Sequence, residues 1–169
     1  FPLARALRKG PMAVDRVLLD AKLNALRSHL RPGTVLYSQY VDGQNNDKII
    51  AAICNYVRDC GLRPASYTGT VDELDMFLSG DADILVASAP IATGVDGLQH
   101  RADQLIVISP PWTAAGMQQL IGRFVRTGGK FSHLTLVLPE VVIPFHGERF
   151  SWDSYRYGVI DDKQTLADA

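Results

Sequence analysis

Residues 112 to 129 read WTAAGMQQLIGRFVRTGG. At about 100° per residue, the angular step of an α-helix, Met117, Leu120, Ile121, Phe124 and Val125 fall on one arc, at i, i+3, i+4, i+7 and i+8. Gln119, Gly122, Arg123 and Arg126 fall on the opposite arc. Thr113 is placed to cap the first turn, and Gly128-Gly129 stand where a glycine ends a helix. The spacing predicts one helix across the whole stretch, with its apolar arc in a core and a glutamine and two arginines converging on the other side. Two guanidinium groups one turn apart attract a multiply negative partner, and phosphate is the commonest. The plainer alternative is a solvated helix face that carries two surface arginines.

The rest of the chain tests that choice. Its 169 residues suffice for one domain with a real core. A hydrophobic content of 47% with 21% charged residues is that of a soluble globular protein. The formal net charge of −1 provides no global field for a polyanion, so any such contact must be local. No apolar run approaches the roughly 18 residues of a membrane span. The chain opens at Phe1 without a methionine or a signal-peptide pattern, which reads as a piece of a longer polypeptide. Cys54 and Cys60 lie six apart on a predicted helix and point in different directions, so free thiols in a reducing compartment are expected. His29, His100, His133 and His146 lack metal-ligand spacing, and no metal site is assigned.

From about Asp15 to Leu30, Val14, Val17, Leu18, Ala21 and Ala25 keep a helical period that Pro32-Gly33 ends. Thr34 to Val41 (TVLYSQYV) is a strand, with Tyr37 read as core. The turn-forming run Asp42-Gly43-Gln44-Asn45-Asn46 leads into a helix from Asp47 to Cys60, with Ile49, Ile50, Ile53, Cys54 and Val57 on its stripe. Arg63 to Thr68 is a short strand. Thr70-Val-Asp-Glu73 fits a capping box opening a helix that ends near Gly80. Asp83 to Ala87, Gln104 to Ser109 and Leu134 to Leu138 are continuous apolar runs, as in strands buried on both faces. Ser88 to His100 is a loop. The alternation predicts an α/β fold, a parallel sheet with helices on both faces. Ligands of such sheets sit beyond the carboxyl ends of the strands, where Ser38, Gly69, Ser88 to Asp96 and the surroundings of Trp112 would lie. Past Pro139 the period fades, and residues 140–169 read as an irregular extension with a frayed end from Asp161.

Three segments in order on these elements resemble the C-terminal RecA-like lobe of a superfamily 2 helicase or translocase, closest to the Swi/Snf type, over roughly residues 15 to 139. LYSQY at 36–40 resembles a strand motif of Swi/Snf translocases. SAPIATGVDG at 88–97 is similar to the loop T-D-x-A-x-x-G-x-D, with Ser88 at the threonine, Gly94 at the glycine and Asp96 at the aspartate. Trp112, Gln119, Arg123, Arg126 and Gly128 match W-x6-Q-x3-R-x2-R-x-G. The second segment departs toward the general superfamily, and Gln119-Leu120 replaces the His-Arg frequent in RNA-type helicases, which favours DNA as the track.

The resemblance implies a three-layer RecA-like lobe over 1–139, with a helical lead-in at 1–32. It implies phosphoryl transfer from ATP held in a cleft between two lobes, in the cytoplasm or on the nucleoid. Arg123 and Arg126 would be the finger arginines, with Arg126 acting on the transition state. Gln119, Gly94 and Asp96 would sit at the nucleotide, Asp96 reaching the ribose or coupling the two sites. Ser88, Gly69, Thr70 and Ser38 would contact the nucleic-acid backbone through hydroxyls and amides, independently of sequence. Each has a plainer reading: Asp96 as a turn aspartate, Ser88 as a strand-end hydroxyl, Thr70 as an N-cap, Trp112 as a core or loop anchor.

No G-x-x-x-x-G-K-[ST] loop occurs; Gly128-Gly129-Lys130 is followed by Phe131, and Phe124 holds the first glycine position. No acidic metal box occurs either. The main ATP cradle and the Mg²⁺ ligands are thus expected on an N-terminal lobe of the same polypeptide, and this fragment alone should hydrolyse ATP negligibly. Two rival readings remain. One is a stand-alone Rossmann-like module for a phosphorylated ligand, against which the first βα loop lacks the glycine fingerprint. The other is a degenerate motor lobe kept as an interaction scaffold.

Overall fold

Thr34–Ser38 (β1), Ile84–Ala87 (β3) and Gln104–Ser109 (β4) form the middle of a five-stranded sheet in the computed structural model, which describes residues 11–41, 48–145 and 147–167. Edge strands Pro64–Tyr67 (β2) and Thr135–Val137 (β5) complete it in the order β2-β3-β1-β4-β5, every neighbouring pair parallel. Register stacks like with like: Val35 lies between Leu85 and Leu105, and Leu36 between Val86 and Ile106. These side chains alternate between two dry layers. Val35, Leu85 and Leu105 face one apolar cluster, while Leu36, Val86 and Ile106 face the other.

Helices cover both faces, giving the expected three-layer RecA-like arrangement. Pro11–Leu26 (α1) and Ile49–Asp59 (α2) close one side. Leu74–Ser79 (α3), the short turns Ile91–Gly94 (α4) and Leu98–Arg101 (α5), and Ala114–Ile121 (α6) close the other. In α2 the stripe is the one read from the sequence, with Ile50, Ile53, Cys54 and Val57 buried. Both cysteines are free thiols, Cys54 buried beside Ser66 Oγ. Tyr37 is core, as read, and its hydroxyl donates to Gln39 Oε1 at 2.6 Å.

Several expectations need correction. On α1 the packed face is Leu19, Leu23 and Leu26, while Ala21 and Ala25 are exposed. The larger leucines bury more apolar area than the alanines that carry the same period. Thr70 caps nothing: α3 starts at Leu74 after Glu73, whose side chain makes no cap bond and accepts instead from the Ser66 amide at 2.8 Å. The chain from Thr68 to Asp72 folds back on β2, with Thr68 Oγ1 accepting from the Val71 amide at 3.1 Å. Residues 88–100 contain the two helical turns α4 and α5 rather than plain loop. β5 is an edge strand, and Leu136 is 39% exposed rather than buried on both faces. The extension is regular: Ile143–Phe145 (β6) and Glu148–Phe150 (β7) pair antiparallel, and Trp152–Ala167 (α7) follows, so the backbone from Asp161 to Ala167 is helical. The loop at Asp42–Asn46 and the predicted helix start at Asp47 lie outside the described residues.

The entry to β3 is pinned by an ion pair. Arg63 reaches both carboxylate oxygens of Asp83 at 2.9 and 3.1 Å, and its backbone amide donates to the same carboxylate. Hydrogen bonding from Arg63 holds the Asp83 carboxyl below its ordinary value of 3.8. A depressed acid favours the folded state above that value and ceases to as pH falls through the lowered one. Acid unfolding below pH 3.8 should therefore be less steep for Asp83→Asn than for the parent in a pH series of denaturant melts. In the core, Leu85→Ala should cost about 2–5 kcal/mol, and Leu136→Ala about 1 kcal/mol or less, by the same melts.

Candidate functional site

Helix α6 leaves the carboxyl end of β4 through Pro110, Pro111 and Trp112. Thr113 caps it as read, its Oγ1 accepting from the Gly116 amide at 3.1 Å. The helix ends at Ile121, well short of the predicted stop, and Arg123 and Arg126 lie beyond it. Gly122, a poor helix former, marks the break. The next amides turn tighter, Arg123 N to Leu120 O and Phe124 N to Ile121 O. This buries Phe124 but leaves Val125 62% exposed, against its predicted place on the core arc. Gly128 adopts φ 80°, and Gly129 comes so close to Gln99 that a Cβ there would meet Gln99 Cβ at 3.3 Å. The glycine pair thus turns the chain onto α5, where Lys130 N donates to the Gln99 carbonyl at 2.9 Å, instead of stopping the helix.

Residues 91–97, which comprise α4 and its link to α5, are where the two arginines go. Arg123 Nε donates to the Ala92 carbonyl at 2.8 Å, Nη2 to Thr93 at 3.0 Å and Nη1 to Val95 at 3.4 Å. All three acceptors are backbone oxygens near the end of α4, where free carbonyls attract a cation. Arg123 is therefore not the open guanidinium the helical wheel suggested. Arg126 pairs with Asp96, and its Nε donates to the Gly122 carbonyl at 3.3 Å. Its side chain is 35% exposed and that of Asp96 is 83% exposed. Gln119 and Gly94 are both exposed, and a Cβ on Gly94 would stand 3.8 Å from the Tyr67 hydroxyl.

The strand-end candidates divide. Gly69 and Thr70 form the exposed tip of the turn beyond β2. Ser38 and Ser88 are both 1% exposed, which corrects the reading of their hydroxyls as surface contacts. Ser38 Oγ donates to the Tyr40 carbonyl at 2.8 Å, and Ser88 Oγ is buried without a hydrogen-bond partner. Trp112 is not a core anchor: it is 58% exposed and stands edge-on to Tyr40, ring centroids 5.8 Å apart. Sequence reasoning gave Tyr40 no role beyond the LYSQY segment, and it missed the residue that closes this corner, Arg156 of α7, because the extension shows no period. Among the described residues no cluster of His, Cys, Asp or Glu could hold a metal, and no helix is long and apolar enough to cross a membrane.

Solved structures share this architecture. The C-terminal part of the Fun30 ATPase domain aligns with a TM-score of 0.53 at 11% identity, over 87% of this chain and 44% of that one. The DEAD-box protein SrmB of E. coli, bound to regulator of ribonuclease activity A, aligns with a TM-score of 0.53 at 20% identity, over 71% of this chain and 72% of that one. This chain shares their RecA-like α/β fold. The RNA helicase Prp28 from Chaetomium thermophilum, bound to ADP, aligns at 0.52 with 17% identity, over 73% of this chain and 30% of that one. The lobe spans less than half of the Fun30 and Prp28 chains. No protein-family model and no curated protein matches it in sequence.

The two arginines of the lobe should separate by stability. Arg123→Ala leaves three carbonyls without their donor and should cost about 1–3 kcal/mol, with faster hydrogen exchange at the amides of residues 92–97. Arg126→Ala removes one surface pair and should cost about 1 kcal/mol or less.

Proposed function

We propose that this chain is the C-terminal motor lobe of an ATP-dependent nucleic-acid translocase of superfamily 2, nearest the Swi/Snf type, with DNA as its track. The observation that carries the reading is the Arg126–Asp96 pair. It is a guanidinium held at the surface by the Gly122 carbonyl and one exposed carboxylate, and that carboxylate belongs to the segment 88–97 that resembles the superfamily's T-D-x-A-x-x-G-x-D loop. An exposed pair of this kind is worth only about 0–1 kcal/mol. Arg126 is therefore free to exchange Asp96 for a stronger anion, and a triphosphate offers several bidentate oxygen pairs.

Bound ATP supplies the phosphoanhydride that is cleaved, carried mainly by a facing N-terminal lobe that also provides the Mg²⁺ ligands. Arg126 donates to the γ-phosphate oxygens and stabilises their charge as the bond opens, a contribution on the order of 10³–10⁵ in rate. Asp96, released from Arg126, turns to the ribose. Gln119 and Gly94 border the nucleotide. Arg123 acts one step back: it fixes the carbonyl ends of residues 92–95 and so sets where Asp96 stands. Gly69 and Thr70 present the exposed backbone and hydroxyl suited to a phosphate of the track, while Ser38 and Ser88 shape the edge from beneath. The track and the facing lobe are the partners, and the cytoplasm or the nucleoid is the setting.

The test uses the polypeptide that carries both lobes. Arg126→Ala should lower nucleic-acid-stimulated ATP turnover by about 10³ while nucleotide affinity falls modestly. Turnover that stays at the parent level would refute the finger assignment.

A further inference from the structure

Helix α7 is fastened to the lobe at two points on one side of its first turns. Asp153 is buried and pairs with Lys22 of α1, which also donates to the Ile108 carbonyl at 2.9 Å. The other oxygen of Asp153 accepts from the Val141 amide at 3.1 Å. One turn later, Arg156 Nη1 donates to Ser109 Oγ at 3.1 Å and Nη2 to the Pro110 carbonyl at 2.9 Å. Both anchors thus grip the carboxyl end of β4. The Arg156 guanidinium carbon also stands 4.7 Å from the Trp112 ring centre and 5.7 Å from that of Tyr40. Tyr40 follows β1 and Trp112 opens the approach to α6, so one side chain joins the exits of the two central strands.

We infer that Arg156 is a positioning residue: it holds the Tyr40–Trp112 corner in place and makes α7 part of the lobe's strand-end edge. Three features require this role. The aromatic pair is half-exposed and edge-on, a contact worth only about 0.5–1.5 kcal/mol by itself. The guanidinium adds attraction to both rings, and its two hydrogen bonds to Ser109 and Pro110 fix its plane in a way a lysine ammonium would not. No carboxylate pairs with Arg156 among the described residues. Its charge therefore remains at the edge, available to a polyanion in a protein whose net charge supplies no such field. That last consequence, a part in holding the polynucleotide, rests on the motor reading; the positioning role does not.

The experiment has two arms. The chain has two tryptophans, so Trp152→Phe leaves Trp112 as the sole emitter. In that background Arg156→Ala should shift Trp112 emission to the red and raise its quenching by acrylamide, with Arg156→Lys in between because it keeps a cation but loses the fork. An unchanged Trp112 signal overturns the positioning role. Should Arg156→Ala disturb folding by circular dichroism, Ser109→Ala removes one acceptor and should give the same shift at smaller amplitude. In the two-lobed polypeptide, Arg156→Ala should raise the polynucleotide concentration for half-maximal ATP turnover by about three- to tenfold, the span of a cation–π contact, more than it lowers saturated turnover. A Trp112 shift with unaltered half-saturation overturns the polynucleotide half and keeps the positioning role. Failure of the motor reading itself shows separately, in an Arg126→Ala protein that still turns over ATP.

Discussion

Three adjacent strands that admit water on neither face govern everything else in this molecule. Apart from Ser109, the residues of β1, β3 and β4 are all buried. Each face must then be roofed by helices, and each connection must cross a face before its strand can run parallel to the last. The crossing on one side is α2, with α1 laid beside it ahead of β1, and those on the other are α3 to α6. Their starts gather at the carboxyl ends of the strands, which is how Thr70, Ser88, Tyr40 and Trp112 come to one edge although they are far apart in sequence. Dryness of the sheet, more than any motif, assembles the candidate site.

On that scaffold two arginines three residues apart have opposite roles. Arg123 is surrounded by neutral dipoles, the carbonyls of Ala92, Thr93 and Val95, which hold its three donors in a fixed fan. Arg126 pairs with one carboxylate, that of Asp96, which stands largely in solvent. A fan of carbonyls cannot be exchanged one at a time without orphaning the others, whereas a screened ion pair yields to a competing anion. The same residue type thus serves as clamp in one place and as removable contact in the other. The geometry past Gly122, rather than the spacing, decides which is which.

Much of this was legible in the sequence where burial is extreme. The apolar runs at 84–87 and 104–109 could only be strands closed on both faces, and the stripe Ile50, Ile53, Cys54, Val57 could only be a helix facing them. Legibility failed where two patterns competed at similar strength. On α1 the alanine and the leucine stripes share one period, and side-chain size, which a wheel does not weigh, selects Leu19, Leu23 and Leu26. Around Thr70 the capping-box pattern lost to a turn in which Thr68 and Glu73 satisfy amides of residues 71 and 66 instead. Past Ile121 the helical period continues on paper, but the helix breaks at Gly122, and Arg123 bonds the carbonyls of residues 92, 93 and 95 instead. Arg156 was invisible for another reason: its partners Tyr40, Ser109 and Trp112 are 116, 47 and 44 positions away by residue number, and nothing local announces such contacts.

The Lys22–Asp153 pair has a bearing on how this protein can be divided. Composition suggests a boundary at Pro139, yet a cut there would separate Lys22 from the Asp153 carboxylate that it pairs with 131 positions away. One ion pair thus ties the first and last helices described here, and a boundary at Pro139 would run between its two partners.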